Sequence, residues 1–181
     1  MKPVRILYRL RQFWHTLTSN TISPVSAQVL ALLSPQQKAL FDQLQPAEKS
    51  HALDMARKLM EQGEVQSDLL VAAMLHDIGK LYYSLHPIER AMVVMVKAAS
   101  PSLAARVGRL PEGGWENVPW WRRAFVLADH HAAWGAELAR QNGVSPLAEI
   151  LIREHHHSTS PAVNGIEDSL LHKLWLVDNE S

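Results

Sequence analysis

Apolar residues recur every three or four positions along nearly the whole chain, and no stretch alternates with the period of two that a half-buried strand requires. That periodicity predicts an all-α fold, a compact bundle of seven to nine helices. The punctuation agrees. Ser34-Pro35-Gln36-Gln37 reads as a helix start, with a serine N-cap, proline at the first helical position and a glutamine placed for a capping box. Pro46 opens a helix that runs to Gly63. Ser67 or Asp68 is expected to cap an apolar helix carrying Leu69 through Asp77, with Gly79 as its stop. A further helix spans about Pro87 to Ala99 and is interrupted at Pro101. Leu110 to Gly114 is loop by composition. Trp120 to Gln141 reads as one long helix, stopped by Asn142-Gly143. Ser145-Pro146 starts another that reaches about His156, Ser158 to Gly165 is loop, and Ile166 to about Asp178 closes the chain.

The chain has 181 residues, enough for one domain with a full core. Eighteen basic and eighteen acidic residues give no net charge, which argues against a protein whose main partner is a nucleic-acid backbone. With no cysteine, disulfides, thiolate metal sites and cysteine nucleophiles are excluded. The longest apolar run, Leu69 to Leu75, falls far short of a membrane span, and no signal-peptide pattern opens the chain. Cytoplasm is the expected compartment. Leu7, Leu10, Trp14 and Leu17 form one stripe, with Lys2, Arg5 and Arg9 opposite, so residues 1–19 can be read as a membrane-surface helix. The preferred reading is a helix docked on the core, within an N-terminal helical extension of residues 1–45.

Ten histidines are the unusual count. His51 shares a stripe with Met55 and Leu59, and His76 follows Leu69, Ala72 and Ala73. Asp77 follows Leu70, Ala73 and Met74, and His131 lines up with Leu127, Gly135 and Leu138. His155 falls with Ala148, Leu151 and Ile152, and Asp178 with Leu171, Leu174 and Trp175. Six titratable groups on five helices are thus expected to face the core. Taken singly, His51 reads as an ordinary core histidine and His155-His156-His157 as a polar helix end. Of His130 and His131 one belongs at the surface. His15, His86 and His172 are unremarkable, although His86 is placed to line a pocket. Together the six pose a problem, because buried carboxylates need compensating charge and only Lys80 lies nearby, one turn after His76. A divalent metal cluster resolves it: it takes neutral imidazoles and ionised carboxylates and supplies positive charge.

His51, then His76-Asp77, then Asp178 resembles the H…HD…D signature of the HD superfamily of metal-dependent phosphohydrolases, with His76-Asp77-Ile78-Gly79-Lys80 in the HDIG form. His131-Ala132-Ala133-Trp134-Gly135-Ala136-Glu137 is similar to the HxxxGAE helix of the two-metal subgroups, and Leu151 to His156 to the helix after it. The similarity covers about residues 48 to 180, with residues 46–181 expected to form the HD domain. It implies an all-α bundle and two divalent transition metal ions (iron, manganese, nickel, cobalt or zinc). His51, His76, Asp77 and Asp178 would bind the first ion, Asp77 would bridge, and His131 and His155 would complete the second. His156 is the alternative ligand or a hydrogen-bond donor to substrate. Asp77 and Lys80 are the residues expected to take part in catalysis, Lys80 by offsetting phosphate charge. The implied reaction is hydrolysis of a phosphoester or phosphoanhydride, of a nucleotide or other small phosphorylated substrate, by a hydroxide activated at a dinuclear site. Leu110 to Pro119 and Ser158 to Gly165 are placed to shape substrate access. Trp115, Trp120 and Trp121 could stack on a base, although buried packing is the usual employment of a tryptophan. The cyclic di-GMP branch differs: His157 stands where it has a glutamate, Ser158 to Gly165 holds no GYP, and Ala47 stands where it can carry a third-metal glutamate, Glu48 being one residue out of register. Two other readings fit the same residues: an HD-like di-iron oxygenase and a non-catalytic HD signalling domain. Nothing in the sequence assigns an oligomeric state.

Overall fold

Proline opens six of the helices. The computed structural model describes residues 24–159 and 165–180, and the N-terminal stripe lies outside them. In chain order come α1 (Pro24–Leu30), α2 (Pro35–Phe41), α3 (Pro46–Glu61) and α4 (Ser67–Leu75), then a 3-10 turn over Ile78–Tyr82. There follow α5 (Pro87–Ala99), α6 (Pro101–Gly108), two short 3-10 turns at Trp115–Asn117 and Trp120–Arg122, α7 (Arg123–Gln141), α8 (Pro146–Glu154) and α9 (Ile166–Glu180). Among the described residues these are nine α-helices and no strand. A proline at the first helical position lacks only an N–H that the helix would leave unpaired. The capping box at Ser34 forms in full: Ser34 Oγ accepts from the Gln37 N–H at 3.3 Å and Gln37 Oε1 from the Ser34 N–H at 3.0 Å.

Several boundaries differ from the expectation. The side chain of Gln66, rather than Ser67 or Asp68, caps α4, accepting from the backbone N–H groups of Asp68 and Leu69. Asp68 is engaged elsewhere, since its Oδ1 accepts from the Ser145 hydroxyl at 2.6 Å and ties α4 to the start of α8. Pro101 opens a new helix instead of merely ending one. The helix expected from Trp120 begins at Arg123, after a 3-10 turn. The helices expected to run through Asp77 and to His156 stop at Leu75 and Glu154.

The core is built around α4, whose residues from Leu69 to Leu75 are all buried except the half-buried Val71. It packs with Ala52, Met55 and Leu59 of α3, Leu151 and Ile152 of α8, Ala136 and Ala139 of α7, and Leu171 and Leu174 of α9. Val29, Leu33, Phe41 and Leu44 belong to the same cluster, so α1 and α2 share that core. A smaller cluster of Val93, Ala104, Ala124 and Phe125 lies under α5, α6 and the start of α7. No helix among the described residues is long and apolar enough to cross a membrane.

Gly79 was expected to stop a helix. It lies in the buried first half of the 3-10 turn, where a Cβ would sit 1.9 Å from the carbonyl oxygen of His131. Opposite it, a Cβ on Gly135 would lie 3.0 Å from the Gly79 nitrogen. Two missing side chains let the backbone after α4 rest directly on α7.

Candidate metal centre

Helix ends do most of the positioning. His76 is the C-cap of α4 and Asp77 follows it; His155 is the C-cap of α8 and His156 follows; Asp178 lies in the last turn of α9. His51 comes from α3 and His131 from the middle of α7. Within a continuous helix neighbouring residues diverge by about 100°. Past the helix end that restriction lapses, which is how His76 and Asp77, and likewise His155 and His156, turn toward one point.

All seven predicted residues converge. Ring centroids lie 5.3 Å apart for His51–His76, 5.0 Å for His76–His155, 4.0 Å for His155–His156 and 4.8 Å for His131–His156. Asp77 sits between two sets of imidazoles, Oδ2 at 3.4 Å from His76 Nε2 and Oδ1 at 3.5 Å from His131 Nε2. Asp178 Oδ1 lies 2.9 Å from His51 Nε2 and 3.8 Å from His76 Nε2. Three groups bring ligand atoms within 4.8 Å of one another: His51, His76 and Asp77; His76, His155 and Asp178; His131, His155 and His156.

The tautomers follow from local bonds. The Nδ1–H of His76 donates to the Ala73 carbonyl at 3.0 Å, that of His131 to Leu127 at 3.0 Å, and that of His155 to Ile152 at 2.7 Å. A carbonyl oxygen can only accept, so each ring keeps its proton on Nδ1 and turns the Nε2 lone pair inward. His155 Nε2 is buried there without a hydrogen-bond partner. His131 Nε2 faces the Asp77 carboxylate at 3.5 Å and His156 Nε2 at 3.1 Å. The His131 lone pair facing the Asp77 carboxylate, and that of His155 buried without a donor, call for positive charge at the centre, and the nitrogen-rich donor set suits a divalent metal.

Electrostatics point the same way. Burial opposes a charge on His76, yet the Asp77 carboxylate beside it, with Asp178 beyond, raises its affinity for a proton. Burial likewise opposes the charge on Asp77, but Lys80 and His76 hold its carboxyl well below the usual carboxylate range. Burial also works against Asp178, which the bond from His51 and the nearby His76 bring to about 2. His155 is held well below the ordinary imidazole value by burial and by the rings of His76 and His156. His156 is exposed at the rim of the cluster, but partial desolvation of its ring and the neighbouring His131 take it down to about 4. At neutral pH the site therefore presents ionised carboxylates and neutral imidazoles in His155 and His156, the forms that bind metal.

Two expectations need correction. His51 and Asp178 do not bury fully: their side chains are 25% and 21% exposed, against 1% for His76, so with the exposed His156 they form the open edge of the cluster. The tryptophans were expected to be buried, yet Trp120 is 76% exposed and Trp121 is exposed beside it. Trp115 instead packs against Trp134 and Tyr83. Lys80 stands where the sequence puts it, with its Nζ donating to Asp77 Oδ2 at 2.5 Å. His86 is exposed at the start of α5, its N–H bonded to Glu89, and does not line the cleft beside Lys80. His130, the partner of buried His131, stacks on Trp134.

The cleft itself escaped the sequence reading. It holds about 320 Å³ and is lined by Lys80, Glu48, Arg90 and Tyr83 among others. Glu48, weighed only as a metal ligand, is buried one turn before His51 and paired with Arg90 of α5. Its spacing of three from His51 was the available signal; Arg90, far away in sequence, offered none.

No curated protein and no solved structure matches this chain. The family model described as the HD domain matches residues 49–176, from just before His51 to just before Asp178. That family is all-α and largely metal-dependent hydrolases, in keeping with the bundle and the histidine–aspartate cluster, and the chain belongs to it.

Proposed function

We propose that this chain is a phosphohydrolase with two divalent transition metal ions, cleaving a phosphoester or phosphoanhydride bond of a nucleotide. His51, His76, Asp77 and Asp178 would hold one ion, and His131, His155 and His156 the other, with Asp77 between them. The observation that carries the reading is Asp77 itself: a buried carboxylate with one oxygen toward His76 and the other toward His131. Bound there, the ions would lower the pKa of water and draw charge from a phosphoryl oxygen. The chain's own residues supply the rest. The three Nδ1–H bonds to backbone carbonyls keep His76, His131 and His155 aimed before any ligand arrives. Lys80 donates to Oδ2 of Asp77, the oxygen that faces His76, and places an ammonium beside the cleft, where it would neutralise part of a phosphate's charge. The partly exposed pair His51–Asp178 leaves a way in for substrate.

The test is elemental analysis of the purified protein, followed by hydrolysis of bis-p-nitrophenyl phosphate and a nucleotide panel with added manganese. Two metals per chain and metal-dependent turnover are expected. His76→Ala and Asp77→Ala should each lower kcat by about 100-fold or more. Full activity in either variant would overturn the reading.

A further inference from the structure

Glu48 has one carboxylate oxygen that nothing in the fold satisfies. The residue is 4% exposed. Its Oε1 accepts from Arg90 Nη2, which also donates to Gln45 Oε1 at 3.1 Å, while its Oε2 is buried with no hydrogen-bond partner. An unsatisfied buried carboxylate oxygen is costly enough to need an explanation. Metal ligation does not provide one: the guanidinium of Arg90 already holds this carboxylate, and the metal-competent groups do not include Glu48. The cleft does. Glu48 lines it together with the apolar walls of Leu44, Leu81 and Leu85 and the ring of Tyr83. Lys80 also lines it, with its ammonium on Asp77 of the metal centre.

This arrangement orients a ligand. The Lys80 ammonium draws a phosphate toward the metal centre, whereas Arg90 offsets the charge of Glu48 and leaves its Oε2 wanting a donor, so the anionic end of a ligand belongs beside Lys80 and an end with hydrogen-bond donors belongs at Glu48. The volume, about 320 Å³, is at the small-molecule end of binding pockets. Resting on the phosphohydrolase reading, we infer that this cleft takes the nucleoside part of the substrate, with Glu48 Oε2 accepting a base N–H or a ribose O–H.

Unphosphorylated ribonucleosides test it without turnover. Adenosine, guanosine, cytidine and uridine are titrated by calorimetry into the full chain in the presence of chelator. At least one should bind with a Kd of about 1 mM or tighter. Glu48→Gln, which turns an N–H₂ toward the ligand's donor, should weaken it by about tenfold or more. Ser84→Trp, at an exposed residue that lines the cleft, should abolish it. Thermal melts confirm that both variants fold. Binding of no nucleoside, or undiminished binding by both folded variants, would overturn the inference. Aryl phosphate turnover separates the two readings. Turnover without nucleoside binding leaves the hydrolase standing and removes the cleft. Nucleoside binding sensitive to Glu48→Gln, with no phosphate hydrolysis on any substrate, leaves the cleft and removes the hydrolase.

Discussion

His155 concentrates the conflict between stability and site-building. One ring nitrogen is used at Ile152; the other is buried, lowered in proton affinity and unsatisfied. Leaving such a group unpaired costs about 1–3 kcal/mol, close to what the Nδ1–H bond returns. His155→Leu should therefore be no less stable than the parent, within about 1 kcal/mol, by urea denaturation in chelator. In manganese the parent should gain stability and the variant should not. A large loss of stability in chelator would mean that the imidazole holds the core rather than a ligand. The sequence made His155 visible through its stripe with Leu151 and Ile152. It could not decide between His155 and His156, because that choice depends on α8 ending at Glu154.

At the scale of elements, the site depends on the contact between the turn after α4 and the middle of α7. A methyl group at Gly79 would overlap the His131 carbonyl oxygen, a backbone atom that cannot step aside. Gly79→Ala should cost about 3 kcal/mol or more, measured by the urea midpoint, and should lower metal stoichiometry by parting His131 from Asp77. Gly135→Ala meets its nearest atom at 3.0 Å and should be milder, about 1 kcal/mol. Equal effects would place the constraint elsewhere. A glycine after an apolar helix reads most simply as a stop signal, and that is how Gly79 read. Its close approach to α7 joins residues more than fifty apart in sequence, which local pattern does not encode. Pro35, Pro46, Pro87 and Pro146 marked their helix starts legibly because a proline at the first helical position acts on its own backbone.

For the whole molecule, acid response follows from the cluster. His155 and His156 have lowered proton affinity in the fold, so below an unfolded value near 6.5 the unfolded chain binds more protons and stability falls, for His156 down to about 4. Asp178 and Asp77, also lowered, add a further loss below about 3.8. His76 acts in the opposite sense: its raised affinity stabilises at acid pH and is lost as pH rises through its folded value. In chelator, stability should peak near pH 6.5–7 and fall on both sides, as a series of urea midpoints would record. His156→Ala should flatten the limb between about pH 6.5 and 4. An unchanged limb would remove His156 from the acid response. The helical class and the candidate imidazoles and acids were legible from periodicity and residue type, because each helix must turn its apolar stripe inward and carries its histidine with it. Where the helices stop, which glycines vanish into a contact, that Arg90 takes one oxygen of Glu48 and leaves the other bare: these were decided only when α3, α4, α5 and α7 packed together. They depend on distances between residues that the chain order keeps apart.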